Sequence, residues 1–300
     1  MDIIDLTLNK GKTTTIHGKL YGLMYEIEEK DYYLRLFIDY FNRRLKVLDY
    51  SGSNYEDMTK RIDYITKENN FDKVFIKGTS DDWEEFMSFG YVLEGIFKYY
   101  YYGEHGYCLS KFYTNQRRNS GSIEKENDIL EKVRECGKKE TKPLELSDDY
   151  IVRVATEKDI DKITKLYDKV FKTYPIPLND KNYVKTLMDS DVLFILIEHK
   201  GKLISAASAD MNHKYKNAEM TDCATDPDYR GKGLMSFIIK KLEKEMKKRS
   251  IVCLYSLARA VSFGMNKVFK KHGYTYTGRL INNCNICGNF EDMNLWVKQL

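Results

Sequence analysis

Glu219 and Asp222 stand just before a turn rich in glycine and cations, in the segment AEMTDCATDPDYRGKGLM from Ala218 to Met235. A carboxylate can take the proton that an alkyl ammonium, with a pKa near ~10.4, must lose before its nitrogen attacks an acyl carbon. The pattern predicts a strand over 218–225, a turn at Asp226-Pro227-Asp228 and a helix start at Arg230-Gly231-Lys232-Gly233. Backbone N–H groups at a helix start lack intrahelical partners and sit at the positive end of the dipole, so they suit a pyrophosphate. Gly231 and Gly233 remove the side chains that would block its approach. Two other phosphate loops are excluded. A P-loop needs a glycine five residues before its Gly-Lys-Ser/Thr; Leu6 occupies that place before Gly11-Lys12-Thr13, and Gly231-Lys232 is followed by Gly233. The dinucleotide fingerprint needs glycine where Ser236 stands.

The elements around this segment alternate. A strand is predicted over 150–154, and a helix over 157–171 with Ile160, Ile163, Leu166 and Val170 on one stripe. A short helix over 179–189 precedes strands at 192–198 and 203–211, joined by the turn His199-Lys200-Gly201-Lys202. A helix over 233–249 carries Leu234, Ile238, Leu242 and Met246, and leads to a strand over 251–257. A helix ending at Gly273 and strands near 275–284 and 290–297 close the chain. Hairpin strands followed by a β-α-β unit imply an α+β fold, a mixed sheet with helices on both faces.

The first half echoes the second. Phe86, Gly90, Tyr91 and Gly95 repeat the spacing of Phe269, Gly273, Tyr274 and Gly278, each set at the end of a helix and the start of a strand. Strands over 44–49 and 73–77 flank a helix over 54–67, so this half reads as the back part of the same fold without its ligand loop. Ile123, Leu130 and Val133 share one face of a connecting helix, which Gly137-Lys138-Lys139 and Pro143 end. The expected organisation is a first domain over 1–120, a connecting helix and linker over 121–149, and a second domain over 150–300.

Composition narrows the function. The 300 residues carry 49 Lys plus Arg against 45 Asp plus Glu, a formal charge of +4, too balanced for a dedicated nucleic-acid binder. The longest apolar run, Val192 to Ile197, is far short of the ~20 residues of a membrane-spanning helix. The acidic start Met1-Asp2-Ile3-Ile4-Asp5 is unlike a secretory signal, so a cytoplasmic location is expected. Six scattered cysteines suit a reducing compartment. Cys284 and Cys287 form the one CxxC, without further ligands at zinc spacing, and no metal is expected.

The strand with its carboxylates, the RGKGLM helix start, the strand after it and the ending Lys271-His272-Gly273-Tyr274 together resemble the GNAT superfamily of N-acetyltransferases over about residues 150–300. Its pyrophosphate loop, Arg/Gln-x-x-Gly-x-Gly/Ala, is matched by Arg230, Gly231, Lys232, Gly233 and Leu234, with Met235 replacing the last small residue. The strings AEMTDCATDPDYRGKGLM, LARAVSFGMNKVF, GRLINNC and FEDMN are similar to those of β-lysine N-acetyltransferases, which also carry an extra N-terminal domain. The resemblance implies a GNAT-type fold, acetyl-CoA as cosubstrate, and acetylation of the ε-amine of β-lysine to make a compatible solute. The substrate would come from lysine 2,3-aminomutase.

Roles follow the same resemblance. Glu219 matches a catalytic glutamate of related histone acetyltransferases and is the first candidate base, through a water; Asp222 is second, as base or ammonium anchor. The two face opposite sides of a strand unless a bulge intervenes. Cys223, Ala224 and Thr225 offer backbone to the pantetheine arm and thioester oxygen, with no need for a cysteine nucleophile. Phe269 takes the place of the family's usual tyrosine acid, leaving Tyr274, solvent or unassisted thiolate departure. Asn266 is a candidate for the pantetheine amides. Arg259 or Arg279 is the candidate fork for a substrate carboxylate, with Asn282, Asn283, Glu291 and Asp292 as further polar candidates. Two other classes remain open: transfer to another small amine, a polyamine or a protein N-terminus, and a non-catalytic CoA-binding sensor.

Overall fold

The structure is a computed structural model that describes residues 3–17, 21–136, 146–171, 174–286 and 288–300. Cys287 and the expected helix stops Gly137, Lys138, Lys139 and Pro143 lie outside the described residues. The first half runs β1 (Ile3–Asn9), β2 (Lys12–His17), β3 (Leu23–Glu28), β4 (Tyr32–Asp39), β5 (Arg44–Gly52), α1 (Tyr55–Glu68), β6 (Lys73–Gly78), α2 (Trp83–Ser88), β7 (Val92–Tyr101) and β8 (Glu104–Phe112). Helices α3 (Asn115–Arg118) and α4 (Ile123–Glu135) lead to β9 (Tyr150–Val154), α5 (Ile160–Val170), α6 (Lys181–Met188), β10 (Val192–His199), β11 (Lys202–Asn212) and β12 (Asn217–Thr225). The chain closes with α7 (Leu234–Lys248), β13 (Cys253–Arg259), α8 (Phe263–Lys271), β14 (Thr275–Ile286) and β15 (Asn289–Gln299).

Apart from the β1-β2 ribbon, these strands form one 13-stranded sheet in the order β3-β4-β5-β6-β8-β7-β14-β15-β13-β12-β11-β10-β9. The order contains the same path twice. From its outer edge the first half reads β3-β4-β5-β6-β8-β7, and the second, inside β9, reads β10-β11-β12-β13-β15-β14. Each half has one parallel pair, β5 with β6 across α1 and β12 with β13 across α7. The repeated residues also fold alike. Phe86 packs edge-on to Tyr91 at 5.6 Å, and Phe269 edge-on to Tyr274 at 5.1 Å. Gly90 and Gly273 take left-handed φ values of 86° and 79°, ending α2 and α8 in the same way.

The halves meet where β7 pairs with β14, and the paired residues are Gly95 and Gly278. A Cβ on Gly278 would lie 2.2 Å from the backbone oxygen of Glu94, so only glycine lets the strands approach.

Helices cover the sheet unevenly. Met58, Ile62 and Ile65 of α1 bury Leu45, Val47, Val74 and Ile76 on one face of β5 and β6. The predicted stripe Leu234, Ile238, Leu242 and Met246 is buried under β10 to β12, each side chain contributing about 1.5–3 kcal/mol. Leu130 and Val133 of α4 join that cluster, whereas Ile123 is exposed. On the opposite face of the second half, α5 and α6 bury Phe194, Leu196, Ala206 and Ala224. A fourth cluster bridges the halves: Phe75, Phe97 and Tyr100 pack with Tyr255, Leu280 and Leu295.

Candidate active site

β12 carries the two carboxylates, and its register explains how they meet. Asp210 pairs with Glu219 and Ser208 with Thr221, but Ala206 pairs with Ala224, so β12 gains one residue against β11. That residue is Asp222, in the left-handed conformation at φ 53°. The bulge resets the alternation. Ala218, Met220 and Cys223 pack toward α7, while Asp222 turns to Ser208 and Tyr174 on the α5 side, the side of Glu219.

Asp222 is 4% exposed. Its Oδ2 accepts from Ser208 Oγ at 2.6 Å, its Oδ1 from the Tyr174 hydroxyl at 3.2 Å, and its backbone oxygen from the Tyr167 hydroxyl at 2.6 Å. Burial pushes the carboxyl up to about 6, against those side-chain hydrogen bonds. Burial also raises the Glu219 carboxyl, opposed by Lys46 and Lys77 and by a hydrogen bond from Tyr255. Asp210, opposite Glu219, is likewise pushed up to about 6, first by desolvation and then by Glu219. A carboxylate raised toward neutrality is a competent proton acceptor at physiological pH.

Open space adjoins Asp222. β12 and β13 pair in parallel over Asn217–Glu219 and Cys253–Tyr255, then separate. The gap holds a cavity of about 80 Å³ lined by Thr221, Asp222, Cys223, Ser256, Leu257 and Phe269 among others. Cys223 and Arg259 also line a cavity of about 560 Å³ over the turn from Arg230 to Ser236. Gly231 and Gly233 have φ values of 79° and 70°, and Gly233 caps α7, so the orphan N–H groups of the first turn face this space. Arg230, Lys232, Lys267 and Lys271 line it as well, a cationic setting that fits a diphosphate. The preceding turn is pinned by Asp226, 1% exposed, which accepts from Lys169 at 2.6 Å and Lys202 at 2.9 Å. Despite opposing burial, these lysines hold its carboxyl well below the usual range. Burial, then Asp222, pushes the Cys223 thiol far above its normal value, which disfavours a thiolate nucleophile.

Several sequence candidates are placed elsewhere. Asn266 is fully buried and saturated: its Nδ2 donates to the backbone oxygens of Arg259 and Ser262, and its Oδ1 accepts from Asn294 Nδ2 and Trp296 Nε1, all at 2.8–2.9 Å. It fixes the start of α8 and has no group left for a pantetheine amide. Arg279 is buried on the α4 side, donating to Asn294 and Asn127 at 2.9 Å and facing Glu126 at 3.5 Å, so it is no substrate fork. The Arg259 fork does line both cavities, but its Nε and Nη2 are engaged by Glu291. Asn282 donates to the backbone oxygens of Gln116, Arg117 and Asn119, Asn283 accepts from Arg44 at 2.5 Å, and Asp292 accepts from the Asn282 N–H at 2.7 Å. These are structural ties. Tyr274 is 2% exposed and faces Glu243 of α7, away from the gap, so it is not placed as the acid; burial raises its hydroxyl far above normal. Phe269 lines the gap as an apolar wall.

The first half contributes residues that the sequence left unassigned. A cavity of about 770 Å³ lies between the two halves, lined by Tyr40, Arg43 and Asn69 on one side and Tyr167, Phe171 and Tyr174 on the other. Phe171 and Tyr174 also line the gap between β12 and β13, so the two spaces adjoin. No helix among the described residues is long and apolar enough to cross a membrane.

Residues 160–274 match the model of the acetyltransferase (GNAT) family. The chain is 39% identical over 248 residues to the β-lysine N(6)-acetyltransferase of Methanococcus maripaludis, covering 82% of this chain and 89% of the relative. It is 36% identical over 272 residues to the enzyme of the same name from Methanosarcina mazei, covering 84% of this chain and all of that relative. It is 39% identical over 266 residues to the N-acetyltransferase YodP of Bacillus subtilis, covering 87% and 94%. With the splayed parallel strands and the glycine turn at the head of α7, these likenesses establish that the chain belongs to the GNAT family of acetyl-CoA-dependent N-acetyltransferases.

Proposed function

We propose that the protein acetylates the ε-amine of β-lysine with acetyl-CoA, in a direct transfer between the two bound substrates. The observation that carries this reading is the single bulge at Asp222, which turns that carboxylate to the face of the raised Glu219 and into the gap that adjoins the turn at Arg230 to Ser236. The similarity to β-lysine N(6)-acetyltransferases along most of the chain supports the choice of amine. On this reading the loop Arg230 to Met235 grips the diphosphate, and the edge of β12 at Cys223, Ala224 and Thr225 that β13 leaves uncovered receives the pantetheine arm. Backbone N–H groups there stabilise charge on the thioester oxygen by on the order of ~3 kcal/mol.

Glu219 takes the proton released by the amine, through a water, and Asp222 orients the amine at the gap. The nitrogen–carbon bond forms as the carbon–sulfur bond breaks. Coenzyme A leaves as a thiolate, which needs no protein acid at Phe269 because a thiol has a pKa near ~8.5. The first 120 residues act as a partial copy of the fold that lacks a coenzyme loop and roofs the amine site, and residues 121–149 connect the two. The enzyme works in the cytoplasm on β-lysine made by an aminomutase. A mass-resolved acetylation assay over β-lysine, α-lysine and polyamines tests the proposal. Turnover of β-lysine above the others is expected, and turnover of a polyamine or a peptide N-terminus without β-lysine overturns it.

A further inference from the structure

The repeated topology places a specific residue opposite Glu219. In the second half the parallel ladder starts Asn217 with Cys253, Ala218 with Leu254 and Glu219 with Tyr255. In the first half it starts Arg44 with Lys73, Leu45 with Val74 and Lys46 with Phe75. Lys46 thus occupies the register position of Glu219, beside an aromatic in both halves. Leu45 and Val47 point to α1, so Lys46 points to the other face, as do Phe75 and Lys77 on β6.

That face turns toward the carboxylates. Phe75 and Tyr255 belong to the cluster that bridges the halves, and Tyr255 stands 5.1 Å from Phe97 and 5.6 Å from Tyr100 between ring centres. The two halves are also tied at their ends: Asn217 Nδ2 donates to the Tyr100 backbone oxygen at 2.8 Å, and Lys214 pairs with Asp49 of β5 at 3.2 Å. Lys77 Nζ lies 5.1–5.7 Å from the ring centres of Tyr100, Phe75 and Phe97, and no carboxylate among the described residues is within ion-pair distance of it. This partly buried ammonium faces aromatic rings and the Tyr100 hydroxyl, and the Glu219 carboxylate acts on it only from beyond ion-pair distance, which leaves it room to pair with an incoming carboxylate. Lys46 keeps 31% of its side chain exposed, and its nearest carboxylate, Asp39 at 3.5 Å, is already bonded by Arg44 and Asn42.

We infer that Lys46 and Lys77 of the first half bind the carboxylate of an amino-acid substrate, while Glu219, Asp222 and Asp210 of the second half receive its two amines. The wall charges then complement a diamino acid, two cations and one anion, and reject a plain polyamine, which would set ammonium against ammonium. The duplicated half has exchanged a base for an anion site at the same register position. The inference rests on the amine-acetylation reading above and adds a specificity that this reading does not require.

The test compares β-lysine with its neutral carboxamide, 3,6-diaminohexanamide, in the full-length wild type, K46M and K77M. Wild type should favour the carboxylate. In each variant the ratio of kcat/KM for β-lysine to that for the carboxamide should fall by about 10- to 100-fold, whatever common change in rate the loss of a charge near Glu219 brings, while the KM for acetyl-CoA stays unchanged and K46R and K77R restore part of the preference. Equal losses on both substrates would mean that the lysines only support the fold, and a wild type indifferent to the carboxylate would remove the anion site; either overturns the inference. A wild type that acetylates neither compound overturns the proposed function instead.

Discussion

Asp222 and Glu219 share one face of β12 because the Asp222 backbone is left-handed, where regular alternation would set the two carboxylates on opposite faces. Their environments differ. Asp222 is locked by Ser208 and Tyr174, whereas the charges of Lys46 and Lys77 and a hydrogen bond from Tyr255 act on Glu219, a division that in the proposed mechanism gives orientation to one and proton transfer to the other.

Glu219→Gln should lower kcat by about 10²- to 10⁴-fold while the dissociation constant for acetyl-CoA stays unchanged, read by steady-state kinetics and calorimetry. Because burial raises this carboxyl, wild-type kcat/KM should climb with pH from a midpoint above the ordinary carboxylate range. An unchanged kcat in the variant removes Glu219 from the chemistry.

Asp222 gives a stability signature with a definite sign. Its folded value of about 6 lies above the ~3.9 of an unfolded aspartate, so the folded state binds more proton between them. That contribution is complete below about pH 4 and lost as pH rises through 6. Relative to Asp222→Asn, wild type should therefore lose roughly 2–3 kcal/mol across this window and then level off, measured by denaturant unfolding.

Gly231→Ala and Gly233→Ala each force a side chain into a left-handed conformation, at about 1–2 kcal/mol. Each should raise the KM for acetyl-CoA roughly 5- to 30-fold, with the KM for the amine little changed. Effects confined to the amine would place the coenzyme elsewhere.

Cys223→Ala should stay within roughly threefold of wild type, because the thiol is held protonated and direct transfer needs no acyl-enzyme. Labelled acetyl trapped on Cys223 after quenching would contradict this.

Gly278→Ala places a methyl against the backbone of Glu94 and Gly95, where neither strand can yield without opening the junction. A loss of about 1–3 kcal/mol is expected, together with a larger rise in KM for the amine than for acetyl-CoA, because the cavity proposed for the coenzyme is lined wholly by the second half.

The strand, turn and helix start proposed to hold the coenzyme were legible because they are local and contiguous, and the turn Arg230 to Met235 lies where its spacing indicated. The α7 stripe and the Phe86 and Phe269 echoes were legible for the same reason. The amine side was not. Lys46 lies on a strand that reads as ordinary, and its charge reaches Glu219 only because the two halves of the sheet join at Gly95 and Gly278 and are tied again at their far ends. Asn266 and Arg279 misled for the complementary reason. Their residue types suit ligand binding, but Trp296, Asn294 and Glu126, brought in from other elements, already satisfy them.

The most direct measurement is the position and rate of acetylation when purified protein, acetyl-CoA and β-lysine are combined and the product is fragmented by mass spectrometry. Release of coenzyme A matched by acetyl on the ε-nitrogen, abolished by Glu219→Gln, is the expected result. Acetyl on the β-nitrogen, or no transfer to β-lysine by protein that binds acetyl-CoA, would contradict it.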